Sequence, residues 1–421
     1  MDYFDEYYPL IDKIADDLFT HPELGYKEFH TSQTVENEIK RICPKANIKH
    51  FSGTGLRVDF NNGSSKTIAI IAELDSLYQP SHFAANSETG AAQACGHFTQ
   101  VTAALSIINN LVKTDAISNF GTNLAFIFTP AEEYVDLSFR KKAKAAGKIS
   151  YFGGKQEAIK LGIFDDIDYC ISTHAIGEDF AKRTIEVDCN LAGFNFEYFT
   201  FKGKASHAGF APEAGINAEN MASLFTTALA YLRQSVKNPN QIRYNPVMTS
   251  QNEMSINVIP DHLQMGTDLR YFDSNYAIEL QNKFINAATG CAQALGGQVK
   301  IEQQVGYLPL IQSKSMNQRV KEVFKRTPEI EDIIDNRGYV MAAGDIGDIS
   351  FLMPTIQIGY GGFNGTIHGK DFKLVDKDFV LRIFPRFVYN SILDISTHLD
   401  EIKTYRKTRD QYLTTLSKME N

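Results

Sequence analysis

Four stretches of this chain are short, rich in β-branched and aromatic residues, and free of polar–apolar alternation. They are residues 67–74 (TIAIIAEL), 123–128 (NLAFIF), 168–173 (DYCIST) and 355–360 (TIQIGY). Runs of this kind read as strands buried on both faces, as in parallel sheets. Helical segments lie between them, which is the rhythm of an open, mostly parallel α/β sheet. Each run leads, on its carboxyl side, to a residue able to hold a metal or move a proton: Asp75, Glu132 with Glu133, His174, and His368 after a glycine-rich turn. Active sites of open α/β sheets collect at that edge. One polar residue after a strand is ordinary, but a series of them is not.

Cys95 and His97 open an apolar helical run. Alone they fit two readings, a buried free cysteine beside a packed histidine or a thiolate and imidazole facing one cation. With the strand-end residues the cation reading gains. Cysteine, histidine and carboxylate together suit Zn²⁺, Co²⁺ or Mn²⁺. Cys95, His97, Glu133, His174 and His368 exceed one tetrahedral site, so two ions sharing the thiolate are expected. Such a pair activates water and polarises a carbonyl, as amide hydrolysis requires. Glu132 is then free to act as base. Asp75 would orient a ligand or water from behind, or cap the following loop. A Cys95 nucleophile with His97 as its base lacks an orienting third residue.

With 421 residues, two domains are expected. The middle of the chain changes texture. Residues 194–201 alternate with period two, and the order β-α-β-β-α-β follows, with strands near 254–259, 263–270 and 298–303 and helices near 217–236 and 276–295. That order predicts a ferredoxin-like α+β domain, 188–304, inserted into a catalytic domain made of 1–187 and 305–421. Near the start, helices are predicted over 8–19, ending before Pro22, and over 31–42. The net charge of −8 argues against a nucleic-acid partner. No apolar run reaches the ~18–20 residues that span a bilayer. Five scattered cysteines and an acidic N-terminus suggest a reduced, cytoplasmic protein.

The ordered motifs are His21-Pro22-Glu23-Leu24, Asp75, Ala94-Cys95-Gly96-His97, Pro130-Ala131-Glu132-Glu133, His174, Gly203-Lys204-Ala205-Ser206-His207-Ala208, Asn257-Val258-Ile259-Pro260-Asp261, Arg270 and His368. In this order they resemble the aminoacylase, hippurate hydrolase and indoleacetyl-amino-acid hydrolase branch of the two-metal amidohydrolase and exopeptidase superfamily, and also aminobenzoyl-glutamate hydrolase. The resemblance implies Cys95, His97, Glu133, His174 and His368 as ligands of two divalent ions, zinc or manganese, with cobalt and nickel as further fits. It implies Glu132 as general base, His207 as an oxyanion stabiliser, and Asn257 and Arg270 as substrate contacts. It also implies a homodimer formed through the inserted domain. The reaction expected is cleavage of an N-acyl amino acid or an aminobenzoyl or aminoacyl amide. A dipeptidase or carboxypeptidase is the alternative, and a non-catalytic metal-binding or ligand-sensing homologue is a further one. Three departures bear on the pocket: Phe98 where the family usually has Asp, Asn or His, with Gln100 and Gln93 where His is common, and a long segment 134–162 suited to a lid or pocket wall.

Overall fold

The computed structural model describes residues 3–238, 241–249 and 255–420. Packing divides the chain into two compact units. The first holds the residues up to Asn190, Ile311–Val340 and Gly344–Arg409; the second holds Leu191–Leu310, Met341–Ala343 and the segment from Asp410.

The first unit is built on an eight-stranded sheet. Its four central strands, in spatial order Asn123–Thr129, Thr67–Glu73, Tyr169–Ala175 and Thr355–Tyr360, run parallel. Antiparallel strands flank them, Gly55–Phe60 on one side and Thr184–Leu191 on the other. The absence of alternation in the sequence has a direct cause: both sheet faces are covered. Ile68, Ile70 and Ala72 join the core built with helix His97–Lys113, while Ala69 and Ile71 are equally buried on the other face. Helices Gly154–Lys160 and Ile346–Leu352 pack on the central strands as well. Because the central strands are parallel, their carboxyl ends share one edge, where Asp75, Glu132, Glu133 and His174 lie.

Two boundaries differ from the periodicity reading. Helix Phe4–Thr20 starts earlier than predicted and carries Pro9 inside it. His174 lies inside strand Tyr169–Ala175 rather than after it.

The second unit has a four-stranded antiparallel sheet, in order Pro246–Met248, His262–Tyr271, Gly193–Lys202 and Gln298–Val305, with helices Ala218–Leu232 and Ser274–Ala294. This is the ferredoxin-like order. The strand predicted near 254–259 is a correction. Met254 lies outside the described residues, Val258–Ile259 pairs instead with Ser206–His207 in a separate ribbon, and the sheet's edge strand is Pro246–Met248. A proline at an edge position costs no ladder bond, which is why that strand escaped a propensity reading. The C-terminal helix Arg409–Met419 also contributes to this unit, with the Met419 carbonyl accepting from Gln281 Nε2 at 3.2 Å.

Candidate active site

Cys95 stands at the junction of two ligand groups. Cys95, His97 and His174 each bring a ligand atom within 4.8 Å of the others, and so do Cys95, Glu133 and His368. Cys95 Sγ lies 3.5 Å from His174 Nε2, and His368 Nε2 lies 3.4 Å from Glu133 Oε1. The backbone decides which nitrogens face inward. His97 Nδ1 donates to the Asp75 carbonyl at 3.0 Å and His174 Nδ1 to the Ala175 carbonyl at 2.9 Å, leaving both Nε2 atoms for a ligand. Asp75 Oδ2 also accepts the Glu133 backbone N–H at 2.9 Å, so Asp75 orients two predicted ligands.

Whether a cation suits this set is testable on its unsatisfied atoms. Asp75 Oδ1, His97 Nε2 and Glu133 Oε1 are buried without a hydrogen-bond partner. Leaving such atoms dry is costly, and metal ions held by His97 Nε2 and Glu133 Oε1 would satisfy those two. Burial pushes the Cys95 thiol up and Glu133 adds to this, but the His97 and His174 imidazoles outweigh both and bring it down to about 6. Burial likewise raises Glu133, yet His368, His97 and Cys95 hold it at about 2. A thiolate and a carboxylate therefore face these imidazoles at neutral pH. Glu132 behaves oppositely: burial, then Glu73 and Glu133, push it well above the ordinary range.

The loops are held by more than their ends. Gly96, at φ +84°, precedes helix His97–Lys113, and a Cβ there would meet Ala175 Cβ at 2.9 Å. Ala131 adopts φ +56° and His368 φ +64°, both strained for residues with a Cβ. Glu28, fully buried, accepts the Ala131 N–H at 2.8 Å and so fixes the strained residue beside the acid pair. The segment 134–162 is a packed structure rather than a loose lid. Its helix Leu137–Ala145 builds a small core of Tyr26, Ala131, Ala143, Ile149 and Phe152. The buried Arg140 within it donates to the carbonyls of Phe152, at 2.6 Å, and Glu133, at 2.5 Å. Beside these loops lies a cavity of about 610 Å³, with Pro22, Leu24, Lys27, Tyr78 and Asp136 in its wall.

Sequence reasoning missed a buried ion cluster under His97. Lys155 Nζ lies 2.6 Å from Glu73 Oε1 and pairs with Asp345, while Gln100 Nε2 donates to Glu73 Oε2 at 2.7 Å. The one available signal was a glutamate within an otherwise apolar strand. Gln100 thus has a partner of its own. Phe98 is buried in the core, its ring 5.5 Å from that of Phe19.

The remaining predicted residues lie in the second unit. His207 and Asn257 share one ribbon, with Ala208 N–H donating to the Asn257 carbonyl at 2.9 Å. His207 Nδ1 accepts from the N–H groups of Gly209 and Phe210, so Nε2 carries the proton and can donate. Arg270 sits at the far end of strand His262–Tyr271, engaged by Asp268 Oδ2 at 2.8 Å and by the Met341 carbonyl. His21 is an exposed residue that bonds Asp17 at the end of its helix.

A profile of peptidase family M20/M25/M40 matches residues 69–383. The chain belongs to that family. This M20/M25/M40 chain is 26% identical over 364 residues to an N-acetyldiaminopimelate deacetylase of Streptococcus thermophilus, covering 83% of the chain and 89% of the relative. It is 24% identical over 352 residues to an IAA-amino acid hydrolase of Arabidopsis thaliana, covering 82% and 74%. A crystal structure of a dinuclear metal-binding M20 peptidase from Bacillus subtilis superposes with a TM-score of 0.71 at 17% identity, covering 93% of this chain and 99% of that one. The aminobenzoyl-glutamate utilization protein of Klebsiella pneumoniae gives 0.65 at 15% identity, covering 94% and 98%. The fold is therefore that of the family, and the M20/M25/M40 chain is a metal-dependent hydrolase of amide bonds.

Proposed function

We propose that this enzyme hydrolyses the amide bond of an N-acyl amino acid, or of an aminobenzoyl or aminoacyl amino acid, with two divalent ions as its cofactor. The observation that carries the reading is the place of Cys95 in both ligand groups, with Glu132 beside them. Cys95, His97 and His174 would hold one ion, and Cys95, Glu133 and His368 the other. Zinc or manganese suits this mixture of sulfur, nitrogen and oxygen, and cobalt or nickel could substitute. When bound, the ions acidify water and polarise the amide carbonyl.

The chain's own residues do the rest. Glu132 takes the proton of the attacking water and returns it to the departing nitrogen. Asp75 keeps His97 and the Glu133 loop in place. His207 Nε2–H is the donor assigned to the developing oxyanion. Asn257 and Arg270 are assigned to substrate positioning, Arg270 to a free carboxylate after exchange of its Asp268 partner. The cavity beside the acid loop is of a size suited to a small-molecule amide.

The inserted domain, 188–304, is the proposed dimerisation element of a homodimer. Its exposed apolar side chains, Leu224, Tyr231, Val247 and Met248, support that role. All five cysteines are unpaired, which suits a reducing compartment, and we assign the enzyme to the cytoplasm. Among the described residues no helix is long and apolar enough to cross a membrane.

The test is a panel of acyl-amino acids, dipeptides and aminobenzoyl-glutamate offered to metal-reconstituted protein. Turnover of capped substrates that a chelator abolishes is expected. Turnover confined to dipeptides with a free amine would favour a dipeptidase, for which curated carboxypeptidase relatives give precedent. Activity indifferent to chelator would sink the metal reading.

A further inference from the structure

Glu73 is the only ionisable residue of strand Thr67–Glu73, and it is 2% exposed. A carboxylate survives there because donors meet both of its oxygens. Lys155 Nζ lies 2.6 Å from Oε1, and Gln100 Nε2 lies 2.7 Å from Oε2. Lys155 is itself fully buried and held from behind by Asp345, whose second oxygen accepts the Lys155 backbone N–H at 3.0 Å. With both oxygens anchored, the carboxylate cannot turn away from its neighbours.

So fixed, Oε2 lies 3.1 Å from His97 Nε2. The other ring nitrogen already donates to the Asp75 carbonyl, so Nε2 is the nitrogen that meets this carboxylate. Both atoms are buried and His97 Nε2 has no hydrogen-bond partner, so a cation entering here would meet the two together. Glu132 Oε2 stands 4.0 Å from the same nitrogen, and Glu73, His97 and Glu132 bring three ligand atoms within 4.8 Å of one another.

We propose that Glu73 faces the divalent ion taken by His97 and adds its charge to that ion's binding, with Lys155 as the positioning residue that holds it there. This rests on the two-ion reading above. It adds to that ion's surroundings a carboxylate that the resemblance did not supply. It also gives the buried lysine a role: without Lys155, the carboxylate has no anchor on Oε1 and an uncompensated charge.

The experiment uses the full chain loaded with Zn²⁺ and equilibrated against graded chelator, with zinc per chain read by elemental analysis. In Glu73→Gln, which keeps the shape and removes the charge, one of the two ions should be lost at a free Zn²⁺ concentration about 10-fold or more above that of the wild type. The other ion should hold as well as before or better. Glu73→Asp keeps the charge, shortens the reach and should show the same selective loss, which covers the case in which the glutamine variant fails to fold by circular dichroism. Two ions held at wild-type concentrations in a folded variant overturn the proposal, and so does equal weakening of both. A wild-type chain that takes up no zinc would instead refute the two-ion reading itself.

Discussion

Each unit buries carboxylates, but in different company. In the first, Glu73, Glu132 and Glu133 lie among a lysine, imidazoles and a thiolate, and several acceptor atoms there go unsatisfied. In the second, Glu197 is equally buried but, among the described residues, its carboxylate is met by amides, Gln281 Nε2 at 2.7 Å and Gln303 Nε2 at 3.0 Å. Burial pushes Glu197 up to about 7, and the amide hydrogen bonds offset it only partly. Both sites cost solvation, yet only the first is arranged so that cations would recover that cost. Burial of a charge is therefore a poor guide to chemistry until its partners are counted.

The largest effect that would break this contrast is at Glu132. Glu132→Gln should bind both ions normally and lose turnover by ~10²–10⁴-fold or more, measured as kcat beside metal content. Wild-type-like turnover would reduce Glu132 to another buried acid. Next comes Lys155→Met, which leaves Glu73 and Asp345 facing each other without their cation. Chemical denaturation of the metal-free protein should show a loss of about 3–5 kcal/mol. An unchanged midpoint would mean that the cluster is not held by that charge.

The smallest effect belongs to Glu197 and depends on pH. Its folded pKa, about 7, lies above the ordinary 4.5 of a glutamic acid. Between those values the folded state keeps a proton that the unfolded state has released, so the stability contribution is complete below pH 4.5 and is lost as pH rises through 7. Glu197→Gln should be nearly neutral at pH 4.5 and stabilising by about 3 kcal/mol at pH 8, read by paired denaturation curves. A pH-independent difference would place an ionised, compensated carboxylate at Glu197, like those of the first unit.

The central strands were legible because burial on both faces erases alternation, a local property of residues 67–73 or 123–129. Cys95 and His97 were legible because a helix start places them two residues apart. The Lys155 cluster was not, since Glu73 and Lys155 are 82 residues apart, and Lys155 and Asp345 are 190 apart. Nothing in helix Gly154–Lys160 marks that lysine as buried rather than solvated. Phe98 shows the reverse. It follows a predicted ligand directly, but one residue along a helix turns a side chain by about 100°, and the turn carries Phe98 into the core.

The single sulfur common to both ligand groups has a consequence for how such a centre fills. Two ions drawing on one thiolate share a fixed amount of negative charge, so their affinities are thermodynamically linked and the linkage is reciprocal. Whatever loosens one ion leaves more of the Cys95 charge to its neighbour. A centre built on such a shared sulfur would fill in two linked steps.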